Sequence, residues 1–186
     1  MTDRYLTKSE VENIPKEALP LIVLSDNLTS FFSLLIKKHE HGIYNHFMLQ
    51  IHEGKFATQD MLFREVPIED YLKGKHRLKF IHCPLWLPYK KRIFTEMIND
   101  ELNRHWFHRR YDFIQLIGFL TGIRKLQIPW LRVCSDWADY IKVMDSKFPT
   151  GKHLSPIEIN TWTKNHGSYE VYGRFVPDWA HPLSPR

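Results

Sequence analysis

The residue of this chain best placed for covalent chemistry is Cys134, which lies where an extended apolar segment, 126–133, gives way to a helix. The helix is predicted from apolar residues at helical spacing: Trp137, Ala138, Tyr140, Ile141 and Met144. Ser135 and Asp136 fall in its first turn, where short polar side chains bind free N–H groups. A thiol there lies at the positive end of the helix dipole, which favours the thiolate. The position is therefore typical of a cysteine nucleophile, although single cysteines are also common as small core residues.

A cysteine nucleophile requires a base within hydrogen-bond reach and a third polar group that orients the base. The chain has 11 histidines, and His46 differs from the others by its position at the start of a predicted strand, 45–51. Strand alternation places His46 on one face with Met48. We therefore predict His46 as the base. The alternative is His82, which lies near a strand end beside Cys83.

The hairpin that follows His46 predicts the third group. A short turn containing glycine sets Met48 near Gln59 on the returning strand, so that Gln59 shares a face with His46. The carbonyl oxygen of an amide can hold the imidazole in one orientation, and Gln59 is the predicted orienting residue. A register slip of one residue would place Thr58 or Asp60 there instead.

The remaining elements follow from periodicity and turn residues. The predicted strands are 21–24, 45–51, 56–63, 77–83 and 171–176; the predicted helices are 29–38, 67–72, 90–110, much of 111–121 and the one that begins at Cys134. Residues 1–18 form a polar lead-in, and 154–159 a loop with one helical turn. Because no repeat or linker divides the chain, we expect one α+β domain over 1–186, in which a small antiparallel sheet packs against the Cys134 helix.

Composition indicates the class of protein. The chain has 186 residues, of which 43% are hydrophobic and 25% charged, as in ordinary soluble globular domains. Its two cysteines make no disulfide framework, and no Cys/His pair has the spacing of a zinc site. The polar N-terminus is unlike a signal peptide, and no apolar run approaches the ~18 residues of a membrane span. We expect a reduced, soluble, cytoplasmic protein that needs no metal or cofactor.

The formal net charge of +5 comes largely from two basic clusters, 90–92 and 104–110. In the second cluster, basic residues alternate with Trp106, Phe107 and His108, a composition able to contact nucleic acid or an anionic surface. No nucleic-acid-binding motif surrounds either cluster, so a solvated helix face is the favoured interpretation. The sequence does not predict an oligomeric state.

Several short motifs follow one another in a fixed order within residues 20–160. They are 43–48 (IYNHFM), 56–59 (FATQ), 66–72 (VPIEDYL), 111–113 (YDF), 134–138 (CSDWA) and 155–158 (SPIE). The ordered set resembles the circularly permuted branch of the NlpC-type, papain-like cysteine hydrolases, in which the histidine strand precedes the cysteine helix. The Gly-Asp pair that often opens the first strand of that branch is replaced here by Ala18-Leu19-Pro20. The compact form with a glutamine resembles phage-encoded members, which would place the protein in a host cytoplasm.

The resemblance implies a papain-like fold and a triad of Cys134, His46 and Gln59. In such a site the thiolate attacks a carbonyl carbon and forms a thioester acyl-enzyme, and no cofactor takes part. The oxyanion would be bound by the backbone N–H of Cys134 and a further donor, for which Tyr44 is the candidate.

The implied substrates are amide bonds of peptides or cell-wall peptides. Hydrolysis or transfer of lipid or acyl esters and thioesters on the same triad is the alternative. An alternative from another class is a non-catalytic interaction module that uses the basic-aromatic helix.

Overall fold

A six-stranded antiparallel sheet forms the centre of the protein. The strands are β1 Leu21–Asn27, β2 His46–His52, β3 Lys55–Gln59, β4 Phe63–Pro67, β5 His76–His82 and β6 Glu170–Phe175. Their spatial order is β4-β3-β2-β1-β5-β6. This computed structural model describes residues 4–28, 38, 42–73, 75–112, 132–149 and 154–177.

Helices cover the sheet, and the α+β class expected from the sequence is confirmed. The α-helices are α1 Lys8–Glu12, α2 Glu69–Leu72, α3 Pro88–Asn103 and α4 Pro156–Asn165, and the 3-10 helices are Lys16–Ala18, Trp106–Arg109 and Cys134–Val143. The last of these is called the Cys134 helix below. It begins at the predicted residue, and its start is fixed by the Val133 N–H, which donates to the Asp136 carboxylate at 3.1 Å.

Both faces of the sheet are covered at its centre, and β1 is apolar on both sides. Leu21 and Val23 face a core shared with the N-terminal segment and α2. Ile22 and Leu24 face a second core shared with the Cys134 helix, α3 and α4. A continuous apolar run is what a strand covered on both faces requires. The predicted strand at 21–24 is confirmed and extends to Asn27.

The predicted returning strand, 56–63, is wrong in extent, because the chain turns at 60–62 and forms β3 and β4 instead. Gln59 and Phe63 pair directly across this turn. Asp60 opens the turn, and aspartate favours that position since its side chain bonds nearby backbone N–H groups. The turn brings the Asp60 carboxylate to the end of β2 at which His46 lies.

Three helix predictions are corrected in their bounds. The predicted helix 90–110 ends at Asn103, and a separate 3-10 helix, Trp106–Arg109, follows an extended residue. The single turn predicted at 154–159 is the start of the ten-residue α4, whose Ser155 forms a capping box with Glu158.

The helix predicted from Pro67 begins at Glu69, because Pro67 still pairs with Lys55. The helices predicted at 29–38 and 111–121 lie outside the described residues, apart from Lys38 and the first two residues of the second. Among the described helices, none has the length and apolar character needed to cross a bilayer.

Candidate active site

His46 and Cys134 lie together at one end of the sheet. His46 is the first residue of β2 and its side chain is 17% exposed. Cys134 is the first residue of the Cys134 helix, which packs over β2, and is 5% exposed. The two predicted residues therefore occupy the elements on which the sequence placed them, and both are largely shielded from water.

The charge state of His46 reflects the proximity of Cys134. Burial by itself lowers the pKa of His46, but the negative charge of Cys134, hydrogen bonds from Asp60 and Cys134, and the charge of Asp60 together raise it from 6.5 to about 10. An anionic partner within hydrogen-bond reach favours the protonated ring. The arrangement is thus suited to a protonated imidazole beside Cys134 at neutral pH.

The other side of the imidazole is held by two polar side chains on β3 and the turn after it. His46 Nε2 lies 2.7 Å from Thr58 Oγ1 and 3.3 Å from Asp60 Oδ1. Burial raises the pKa of Asp60, but the His46 hydrogen bond and charge outweigh it and the net pKa is lowered, so this carboxylate is ionised at neutral pH. Because Nε2 is engaged here, Nδ1 is the ring nitrogen left for Cys134.

Tyr71 on α2 supports this pair of side chains. Its phenol donates to both oxygens of Asp60 at 3.4 Å and lies 3.3 Å from Thr58 Oγ1. Burial and the nearby Asp60 charge raise the pKa of Tyr71, so it remains a neutral O–H donor. Three groups on three segments therefore fix the position of one imidazole edge.

Gln59 does not occupy the predicted orienting position, because the hairpin register differs by one residue. Met48 pairs with Thr58, not with Gln59. Two residues of β2 separate His52 from Leu49, but only one residue of β3 separates their partners Lys55 and Ala57, so β2 carries a bulge. The slip puts Gln59 on the opposite face from His46, which is the alternative register that favoured Thr58 or Asp60.

Among the described residues, Gln59 ties the Cys134 helix to the sheet. Its Oε1 accepts from Trp137 Nε1 at 3.2 Å, and its Nε2 donates to the Arg109 carbonyl at 2.8 Å. The Trp137 ring also stacks on Phe63, with centroids 3.7 Å apart. Gln59 therefore positions the helix that carries the thiol, and it does so without touching the base.

Replacing Gln59 by Ala should destabilise the fold by about 1–3 kcal/mol more than packing loss alone, because two buried polar groups lose their partner. Gln50→Ala is the matched control: both side chains are fully buried, and the Gln50 amide makes no hydrogen bond within the described part of the chain. Urea unfolding of the two variants measures the difference. Equal destabilisation would show that the Gln59 bonds contribute nothing.

The alternative base and the other thiol have different surroundings. His82 lies 3.7 Å from the Glu170 carboxylate on the neighbouring strand, and burial lowers its pKa. Cys83 is buried, and burial raises the pKa of its thiol. Neither residue has the partners that surround His46 and Cys134.

The predicted oxyanion donor, Tyr44, is buried, and its phenol lies 3.4 Å from Arg174 Nη1. Its assignment to oxyanion binding stays a prediction. Tyr111 was not predicted for the site. Burial, and then the charges of Cys134, Asp136 and Asp60, raise the pKa of its phenol, which therefore stays protonated.

His76 is a second unpredicted neighbour. Its Nδ1 lies 3.0 Å from Ser25 Oγ, and its ring centroid 4.7 Å from that of Tyr71. Burial and the His46 charge lower the pKa of His76 to about 4, so this ring is neutral. The sequence offered one signal for the residues that surround His46: Tyr71 belongs to the VPIEDYL motif at 66–72.

The first basic cluster lies on α3, and the second lies around the 3-10 helix Trp106–Arg109. Trp106 and Phe107 are 52% and 41% exposed, and the Arg110 guanidinium lies 5.2 Å from the Trp106 ring centroid. Arg109 instead donates to the Leu102 carbonyl at 2.8 Å and so serves the fold. Binding to nucleic acid or an anionic surface stays a prediction.

Comparison with known proteins adds no assignment: no family model matches this chain, and no curated protein matches its sequence. Within the described residues, no three His, Cys, Asp or Glu side chains are grouped as a metal site requires.

Proposed function

We propose that this protein is a cysteine hydrolase in which Cys134 is the nucleophile, His46 the general acid and base, and Asp60, with Thr58, the orienting group. The observation that carries the proposal is the position of one imidazole between Cys134 and the ionised Asp60 carboxylate. On one side Cys134 raises the His46 pKa, and on the other Asp60 and Thr58 bind Nε2. This is the nucleophile, base and orienting group that covalent acyl transfer requires.

In the acylation step, the Cys134 thiolate attacks the carbonyl carbon of the substrate, and the C=O electron pair moves onto oxygen. The backbone N–H of Cys134 is the donor for that oxyanion in this proposal, because first-turn N–H groups lack an intrahelical acceptor. The tetrahedral intermediate then collapses to a thioester. His46 gives its proton to the departing nitrogen, which leaves as an amine.

In the deacylation step, neutral His46 takes a proton from water, and the resulting hydroxide attacks the thioester carbonyl. The C–S bond breaks, the acid product departs, and the thiolate and imidazolium are restored. Asp60 stabilises the imidazolium each time it forms. The cycle consumes one water per bond cleaved.

The favoured substrate is an amide bond of a peptide or cell-wall peptide, on a papain-like fold with the histidine strand ahead of the cysteine helix. The support is the ordered set of motifs and the helix start at Cys134 beside the His46 strand. Acyl esters and thioesters follow the same chemical steps and form the alternative substrate class. The proposal includes a cytoplasmic location, which is the host cytoplasm if the protein is phage-encoded.

Iodoacetamide tests the assignment of the nucleophile. At pH 6 it should modify Cys134 before Cys83, because Cys134 lies at a helix start beside the protonated His46 ring, whereas burial raises the pKa of the Cys83 thiol. Peptide mapping by mass spectrometry measures the order of modification. Preferential modification of Cys83 would overturn the assignment.

A further inference from the structure

The start of α3 carries the densest group of exposed apolar side chains in the described part of the chain. Four of the ten exposed large hydrophobic residues lie within 85–93, and Leu85, at 72%, is the most exposed of the ten. The four are Leu85, Leu87, Tyr89 and Ile93, called the 85–93 patch below. Because folded chains gain by burying such side chains, a group of them at the surface indicates a partner.

Buried neighbours hold the patch outward. Trp86, between the two leucines, is buried in the core, and its backbone N–H donates to the Cys83 carbonyl at 3.1 Å. Phe94 packs in the same core directly after the patch. Tyr89 and Ile93 lie four residues apart on the helix and so share one face. The patch is therefore anchored to the core within and after its length.

Three cations accompany the apolar side chains. Lys90, Lys91 and Arg92 lie within the patch, which contains no acidic residue. Lys90 Nζ and Lys91 Nζ each lie 3.4 Å from a backbone carbonyl oxygen, which is neutral and leaves the positive charge in place. Arg92 lies 3.8 Å from Glu96, but both side chains are well exposed and water screens the pair. The patch is thus apolar and positively charged together.

An anionic bilayer fits both properties of the patch. Leu85, Leu87 and Ile93 are aliphatic and can enter the boundary between headgroups and acyl chains, where tyrosine is also favoured. Lysine and arginine beside them are attracted to anionic headgroups. Nucleic acid is a poorer match, because bases stack on aromatic rings and aliphatic side chains offer no such surface. A protein partner is a poorer match too, since lysine is depleted in protein interfaces.

We propose that the 85–93 patch docks this protein on the surface of a membrane that contains anionic lipids. The docking is peripheral and limited to the start of α3. Glu96 and Asp100 are exposed about one and two turns beyond Ile93, and an anionic surface repels both carboxylates. The contact therefore ends near Ile93.

The patch lies apart from the candidate active site. His46 pairs with Ser25, and Ser25 pairs with Leu78, so these three residues mark one level along the strands. β5 continues for four residues beyond that level, to His82, before the chain enters the patch. At about 3.4 Å per residue, the end of β5 lies about 14 Å from the level of His46. Docking can therefore be measured apart from the proposed chemistry of Cys134.

Co-sedimentation of the full chain with lipid vesicles tests the docking. Vesicles of equimolar phosphatidylcholine and phosphatidylserine should bind the chain saturably. Phosphatidylcholine alone should bind it about 100-fold more weakly, because the attraction of three cations is lost. Leu85→Ser combined with Leu87→Ser should weaken binding about tenfold or more, because less apolar surface enters the bilayer. Ile43→Ser, a comparably exposed apolar residue outside the patch, should leave it unchanged.

Removal of charge is measured in the same assay. Replacing the three cations of the patch by Gln should reduce binding to that of phosphatidylcholine alone. The matched control removes three exposed cations elsewhere, in a Lys8→Gln, Arg64→Gln and Lys73→Gln chain, and should bind nearly as tightly as the parent. Leu85→Ser alone is the mildest variant should the combined ones fail to fold.

Three results would overturn the docking: no saturable binding to the equimolar vesicles, binding unaffected by the two leucine changes, or tighter binding of a single-stranded oligonucleotide or of polyglutamate than of the vesicles. The last would reassign the patch to nucleic acid or to an acidic protein.

Two further variants separate the docking from the proposed function. Cys134→Ala should bind the vesicles as the parent does, so absence of hydrolase activity in every assay would leave the docking standing. The chain with Gln at all three cations of the patch should be acylated on Cys134 at the parent rate. Failure of vesicle binding would accordingly leave the proposed function standing.

Discussion

Replacing His46 by Ala should slow acylation of Cys134 at pH 7 by about 10²- to 10⁴-fold, the usual contribution of a positioned acid–base group. The structure gives two reasons. The variant loses the cation beside Cys134, and it loses the proton donor for the leaving group. The rate is measured as formation of the thioester adduct on Cys134 from a peptidyl or acyl donor.

His82→Ala is the matched control for this experiment, since His82 is also a strand-end histidine paired with a carboxylate. It should acylate at the parent rate. The fold of the His46 variant is checked by circular dichroism and urea unfolding, so that a loss of packing is not mistaken for the loss of the base. A well-folded His46→Ala protein that acylates as fast as the parent would rule out His46 as the base.

Replacing Asp60 by Asn should lower the pKa of His46 from about 10, because the carboxylate supplies both a hydrogen bond and a negative charge to the imidazolium. The protonated ring persists below its pKa, so the pH range in which an imidazolium faces Cys134 should contract from its alkaline side. Direct observation of the His46 ring nitrogens by NMR over a pH series measures the shift.

Three further variants locate the cause of the His46 pKa. Cys134→Ser should also lower it, because the thiolate charge is removed. Thr58→Val should change it less, because Thr58 contributes a neutral hydrogen bond. Asp70→Asn, which alters an exposed carboxylate paired with Lys73, should leave it unchanged. An unchanged His46 pKa in Asp60→Asn would show that Asp60 does not orient the base.

The positions of Cys134 and His46 at the starts of their elements could be predicted because each depends on local pattern. The apolar spacing from Trp137 to Met144 fixes where a helix can begin, and hence that Cys134 stands at its first residue. The alternation in β2 likewise fixes His46 at a strand start. Both signals need only neighbours within a few residues.

The third residue could not be chosen from the same kind of pattern. Strand side chains alternate with a period of two, so a single bulge in β2 moves Gln59 off the face of His46 and brings Thr58 onto it. The bulge leaves Gln59 facing Trp137, a contact between segments 78 residues apart in sequence. Periodicity within one hairpin carries no information about that contact.

The predicted end of the helix 90–110 was wrong because it too depends on contacts that are distant in sequence. The segment 90–110 has no proline or glycine after its start, so composition alone continues the helix. In the structure the chain leaves the helix at Arg104, and Arg109 then donates to the carbonyls of Leu102 and Phe63. These bonds to other parts of the fold decide where α3 ends.

The central claim is that Cys134 forms a thioester that His46 then helps to hydrolyse. Intact-mass spectrometry of the protein with a panel of peptidyl and acyl donors at pH 7 tests it most directly. The account predicts that one donor gives a single adduct on Cys134 that forms and then decays as product is released, and that neither event occurs in Cys134→Ala. If no donor modifies Cys134 faster than Cys83, or if the same product is released by the Cys134→Ala protein, the account is contradicted.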